Sequence, residues 1–302
     1  MPSPEKELVQ KLFWIPTVRE FYQKQGRGEP LRILCLPGRQ CRFLLELLKR
    51  RYTVLSHVTC IEYNAVEALL IRGRLAEYAT DERAPIDLIQ EPVYDYFSSG
   101  SRAVEMKYQV VDLDMYGRFD EPGQGLLDAV EAVVDVQVRA NVPEWVLLLT
   151  VEVASARAVV REDLDRASAR MMDAYGTTIG PWMDHEASAG EPATQLLRYG
   201  FCVVACVIEM AFPRFEGVLQ RAPAFYRGSD IYGQPSMRAL MGAFAFGFKR
   251  RRPRGALGDS ARRRMVQSLL DRSMGRALRA KAIVADAEGA VRTRAGLDSI
   301  QF

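Results

Sequence analysis

Two carboxylates stand two residues apart at the end of an apolar run, Val110-Val111-Asp112-Leu113-Asp114-Met115-Tyr116-Gly117. In a strand, side chains at i and i+2 project to the same side, so Asp112 and Asp114 would share one face, beside an aromatic and a glycine. A buried strand end gains nothing structural from two acids, because their desolvation is costly. The pair therefore points to a ligand. A further carboxylate, Glu62, with Tyr63 beside it, ends the run Val58-Thr59-Cys60-Ile61. It falls about twenty residues after a Pro37-Gly38 turn, where a parallel α/β sheet places the acid that accepts the two hydroxyls of a ribose. The turn itself, Leu36-Pro37-Gly38-Arg39, follows another apolar run. Its glycine would let backbone approach a ligand, and the helix after it would offer free N–H groups. No GxGxxG occurs there, so neither a pyrophosphate nor a nicotinamide cofactor is indicated. Gln90 and Glu91 end a third run and are placed to meet the edge of a base.

The elements that must position these residues alternate. Residues 5–25 read as an amphipathic helix with Leu8, Leu12, Phe13 and Ile15 buried, broken by Gly26-Arg27-Gly28-Glu29-Pro30. Strands are expected at 31–36, 58–61, 86–89, 108–113 and 145–151, with helices at 39–51, 65–78, 92–98 and 123–140 between them. The last of these runs, Trp145-Val146-Leu147-Leu148-Leu149-Thr150-Val151, is continuously apolar, as a central parallel strand should be. Such alternation predicts an α/β fold: a doubly wound, mostly parallel sheet with helices on both faces. Ligands then sit at the carboxyl ends of the strands, at the switch in strand order. Beyond 152 the pattern weakens: helices are expected at 156–175 and 193–212 with a loop between, further strands within 222–248, and helices near 259–285 before a frayed end. The chain divides into an N-terminal helical segment (1–29), a Rossmann-like domain (30–248) and a basic C-terminal extension (249–302).

Taken together, LRILCLPGRQCRF, VTCIEYN, YQVVDLDMYGRF, GLLDAV and WVLLLTVEV resemble a class I S-adenosylmethionine-dependent methyltransferase over residues 30–152. The likeness is to the tRNA guanine dimethyltransferases, which methylate an exocyclic base amine. In that family a glycine-poor first loop carries spaced arginines, as Arg39 and Arg42 do here. Its fourth strand ends in Asp-Pro-Phe-Gly, which Asp114-Met115-Tyr116-Gly117 resembles, Met115 replacing the proline. The resemblance implies S-adenosylmethionine as cofactor, held by Leu36, Gly38, Arg39, Arg42, Glu62, Tyr63, Gln90, Glu91 and Asp112. It implies Asp114 as the acceptor of the substrate amine N–H and Tyr116 as the ring on which the base stacks. A protein or small-molecule acceptor, or a binding module that keeps the fold without turnover, are the other readings.

Charge separates the two ends of the chain. From Lys249 onward fourteen Lys or Arg face five Asp or Glu, a surplus of nine; with a total of +3, residues 1–248 carry −6. The densest point, Lys249-Arg250-Arg251-Arg252-Pro253-Arg254, suits a nucleic acid, RNA before DNA. A solvated pair of amphipathic helices would look the same. The five cysteines show no CxxC pair, and Cys202 and Cys206, one helical turn apart in an apolar run, read as buried free thiols. No metal site is expected with only two histidines. The charged N-terminus and the lack of a long apolar run predict a cytoplasmic protein that does not enter the membrane.

Overall fold

A computed structural model describes residues 4–25, 29–38, 41–50, 54–76, 84–118, 126–154, 169, 191–212, 214–228, 239–251, 258–285 and 291–295. The expected helix at 156–175 and the loop after it lie outside the described residues, apart from position 169 and the loop's last residues. The chain opens with α1 (Pro4–Val9), a π-helical segment (Gln10–Trp14) and α2 (Ile15–Lys24). It continues through β1 (Leu31–Cys35), α3 (Arg42–Arg50), β2 (Leu55–Ile61), α4 (Ala65–Ala76), β3 (Ile86–Ile89), α5 (Val93–Ser99) and α6 (Ser101–Met106). Then come β4 (Val110–Arg118), α7 (Leu126–Arg139), β5 (Glu144–Ala154) and α8 (Glu191–Ala211). The last part holds β6 (Phe215–Leu219), β7 (Ala224–Arg227), β8 (Leu240–Arg250), α9 (Asp259–Ala277), β9 (Lys281–Ala285) and β10 (Val291–Ala295).

The ten strands of the described residues form one sheet in the order β10-β9-β7-β8-β5-β4-β1-β2-β3, with β6 beside the second half of β8. From β3 to β5 the strands are parallel, and their order is that of a doubly wound fold. β8 runs antiparallel to β5, from Ala154↔Leu240 to Glu144↔Lys249. The expected Rossmann-like sheet with an N-terminal helix is therefore the observed architecture.

Helices cover both faces, as the period of two in the strands requires. Along β5, Trp145, Leu147, Leu149, Val151 and Val153 enter one core with α5 to α9, while Val146 and Leu148 enter the other. That second core holds Val9, Phe13, Trp14, Ile15 and Val18 of the N-terminal helices, with α3 and α4. Leu12, expected inside, is instead 44% exposed. The π-helical turn at 10–14 adds a residue to the repeat and rotates Trp14 into the core in its place.

Two further differences lie late in the chain. Phe215-Glu216-Gly217-Val218-Leu219 is a strand with alternate residues buried, and the Phe248 ring occupies the space where a Gly217 side chain would project. Residues 281–285, expected as helix, form β9 parallel to β7, because an unpaired strand edge was there to be extended. Helix α9 packs through Val266, Leu269, Leu270 and Met274 into the first core. No helix among the described residues is long and apolar enough to cross a membrane.

Candidate active site at the switch point

The chain turns from β1 outward to β2 and β3, then returns to β4 on the other side of β1. In a sheet of this order the ligand crevice is expected at the carboxyl ends of β1 and β4. Asp112 is the register partner of Cys35, the last residue of β1, and its carbonyl accepts the Leu36 N–H at 3.2 Å. Asp114 pairs with Thr150 of β5. Val110, two residues before Asp112, belongs to the core under the N-terminal helices, so both carboxylates face that side. By the same alternation Glu62 follows Val58 and Cys60 onto it. Asp112, Asp114 and Glu62 thus share one face at one edge of the sheet, and for Asp112 and Asp114 their spacing predicts it.

Asp112 is 2% exposed, and its Oδ1 has no hydrogen-bond partner among the described residues. Burial pushes its carboxyl well above the usual range; the neighbouring Asp114 adds to this and Lys6 opposes it. The folded state therefore holds this proton more tightly than the unfolded state does. Stability should fall as pH rises from about 4, the unfolded value, to the raised folded one. Urea unfolding across that window should show the decline. Asp112→Asn should flatten it and leave the ligand-free protein more stable at neutral pH.

Beside it, Thr150 is fully buried and its Oγ1 also lacks a partner. Asp114 is not idle: Lys6 of α1 places its ammonium 2.5 Å from Asp114 Oδ2, both side chains largely buried. Glu7, the next residue, pairs with Arg42 at the start of α3. Helix α1 is thereby tied across the carboxyl edge by two ion pairs. Asp114 is already within reach of a nitrogen donor. Beyond Asp114 the pairing of β4 with β5 shifts register before Arg118, and Tyr116 lies in that stretch. Bulges of this kind re-aim side chains beside functional sites. The Tyr116 side chain itself lies outside the described residues.

At the end of β2, the Glu62 N–H donates to the Ile89 carbonyl at 3.0 Å, while its carboxylate accepts the Asn64 N–H at 2.9 Å. Burial raises the Glu62 pKa against the pull of the Asn64 and Tyr63 backbone N–H groups. Asn64 caps α4 through the Val66 and Glu67 N–H groups. Tyr63 projects into solvent, Gln90 is exposed and Glu91 half-buried at the end of β3. Gly38 takes a left-handed φ of +55°, and a side chain there would meet nothing within 4 Å, so the turn after β1 is open to a ligand. Leu36 is half-buried beside it, and Arg39 lies outside the described residues. Beneath the turn, Cys35 and Cys60 hold their sulfurs 3.8 Å apart, and burial pushes the Cys41 thiol up to about 12. Cys202 and Cys206 are buried in α8.

The basic segment sits elsewhere. Lys249 and Arg250 end β8 at the amino edge of the parallel strands. Lys249 pairs with Glu144 at 3.2 Å, Arg250 donates to the Val138 carbonyl, and Arg251 lies 4.8 Å from the centre of the Phe212 ring. Arg252 and Arg254 lie outside the described residues. Counted along β5 from Thr150 to Glu144, this cluster is about 20 Å from the level of Asp114. Sequence reasoning missed Lys6 and Thr150. Lys6 carries no local signal, and a threonine within Leu-Leu-Leu-Thr-Val reads as a strand former.

No family model matches the sequence, and no curated protein does. Among solved structures, the chain is similar to a SAM-dependent methyltransferase from Agrobacterium tumefaciens, at 13% identity over 82% of this chain and 62% of that one, with a TM-score of 0.39. It is also similar to precorrin-6y C5,15-methyltransferase from Geobacter metallireducens, at 13% identity over 77% of this chain and 87% of that one, with a TM-score of 0.34.

Proposed function

We propose that the chain is an S-adenosylmethionine-dependent methyltransferase whose acceptor is the exocyclic amine of a nucleic-acid base. The observation that carries this reading is the polar floor of the switch-point crevice. Two buried polar atoms without partners among the described residues, Asp112 Oδ1 and Thr150 Oγ1, flank Asp114, whose Oδ2 is ion-paired with the Lys6 ammonium at 2.5 Å. Buried polar atoms are almost always satisfied, so a pair of orphans in a ligand crevice favours a polar ligand there.

The residues present fit the cofactor. Glu62 would hold the ribose hydroxyls, the open Gly38 turn with Leu36 would border the nucleoside, and Gln90 and Glu91 would meet the adenine edge. When bound, S-adenosylmethionine supplies a methyl group on a sulfonium that is already a good leaving group. The protein's part is then mainly to orient and to exclude water. An aromatic amine is a weak nucleophile because its lone pair is delocalised into the ring. Asp114, accepting an N–H from it, localises that pair, and α1 above the crevice keeps solvent out. Calorimetric titration with S-adenosylmethionine, followed by transfer of labelled methyl to RNA, tests the reading. Absence of cofactor binding would instead favour a module that keeps the fold without turnover.

The position of the basic cluster favours a second reading, in which the acceptor is a protein or a small molecule. Lys249, Arg250 and Arg251 have partners within the fold and lie at the edge opposite the crevice. The two readings differ in salt dependence. If the cluster holds RNA phosphates, affinity should fall steeply with salt, the logarithmic slope losing nearly one unit for each phosphate contact removed. Lys249→Gln with Arg252→Gln and Arg254→Gln would measure that change. RNA binding that is absent or insensitive to salt would select the second reading.

A further inference from the structure

We propose that α4 is the interface of a homodimer, in which two copies of the chain pack their α4 helices antiparallel about a two-fold axis close to Leu70. Helix α4 is apolar on opposite sides. Ala68, Ile71 and Leu75 face inward and are buried. The opposite side carries Val66 and Leu69, each 65% exposed, and Leu70, 43% exposed, with Tyr63 just before the helix at 73%. At 100° per residue, positions 66, 69, 70 and 73 form one stripe directly away from the core. A helix with a second apolar stripe opposite the buried one gains by covering it, and a contiguous exposed apolar patch is a candidate interaction site.

The fourth position of the stripe is Gly73. A side chain built there meets nothing within 4 Å, so no contact among the described residues calls for a glycine in the middle of this helix. It does leave a notch where a second helix can come close. An antiparallel pairing centred near Leu70 lays Val66 of one copy over the notch at the partner's Gly73.

Charge selects the second copy as the occupant. Glu67 and Arg74 lie two turns apart on one flank of the stripe, the acid near the start of the helix and the base near its end. In an antiparallel pair, equal flanks face each other. Each copy's Glu67 then meets the partner's Arg74, twice over by symmetry. One surface that is complementary to itself in shape and in charge is what a two-fold interface requires. Tyr63 stands at the end of the stripe beside Glu62, so the interface borders the switch-point crevice, although the proposal does not depend on what the crevice binds.

Sedimentation of the full chain over a range of concentrations should show a monomer–dimer equilibrium. Leu69→Lys, on the exposed side, should abolish the dimer and leave the circular dichroism and melting of the monomer unchanged. Glu67→Arg and Arg74→Glu should each weaken the dimer severalfold, and the two reversals together should restore it. A monomer at every concentration, or a dimer indifferent to Leu69→Lys, overturns the proposal. So does a Leu69→Lys protein that melts earlier without any dimer in the parent, since the chain itself would then be covering the stripe. Failure of the double reversal to restore a dimer that Leu69→Lys disrupts rules out the antiparallel arrangement.

Discussion

Asp114→Asn should slow methyl transfer to an amine acceptor by about 10²-fold or more in single turnover, the usual loss when one placed electrostatic group is removed, with cofactor affinity little changed. The substitution keeps the shape of the side chain and removes its charge. It also releases Lys6, which sits 2.5 Å from Asp114 Oδ2, so a slower enzyme could reflect an unseated α1 alone. Lys6→Met separates the two effects. It breaks the same ion pair and leaves the carboxylate. If Asp114 receives the substrate amine, only Asp114→Asn loses transfer selectively, whereas both variants shift the melting temperature. Equal losses of rate in the two variants would reduce Asp114 to an anchor for the helix. Tyr116→Ala, beside them, should weaken substrate binding by about 1–3 kcal/mol if the ring carries the base.

Glu62→Ala should weaken S-adenosylmethionine binding by more than ~1.5 kcal/mol, tenfold or more, because a charge-assisted pair of hydrogen bonds to the ribose is lost. Calorimetric titration reads this directly. Glu62 also accepts the Asn64 N–H just before α4, so the melting temperature of the variant must be followed in parallel. An unchanged affinity in a folded Glu62→Ala protein would falsify the ribose assignment and remove the main support for this cofactor.

What the sequence made legible was whatever depends on neighbours in the chain. The alternation of Val110, Asp112 and Asp114 placed both carboxylates on one face, and the apolar run after Trp145 marked a central strand. What remained hidden depends on partners far along the chain. Lys6 meets Asp114 over a hundred residues away, and nothing in Glu5-Lys6-Glu7 distinguishes it from a solvated helix end. Thr150 acquires meaning only once Asp114 is its register partner. Lys281-Ala282-Ile283-Val284-Ala285 continues an Ala- and Arg-rich helical stretch in composition, yet forms a strand because β7 offers an edge. The basic run beginning at Lys249 reads as the start of an extension, although its first two residues are the last of β8.

The contacts of α1 have a consequence for synthesis. This helix packs on β7, β9 and β10, so residues 4–9 lean on residues up to 295. As the chain leaves a ribosome, Val9, Trp14 and Val18 emerge well before part of the surface beside them. For most of translation that stretch has only part of its resting place. A chaperone that binds apolar segments would find its target in the stretch from Val9 to Val18, and would be released only when the far edge of the sheet closes. Such closure between distant segments is slow, since the entropy of a long loop must be lost before any contact repays it. A nascent chain stalled before β9 should therefore remain open to protease within α1 and α2.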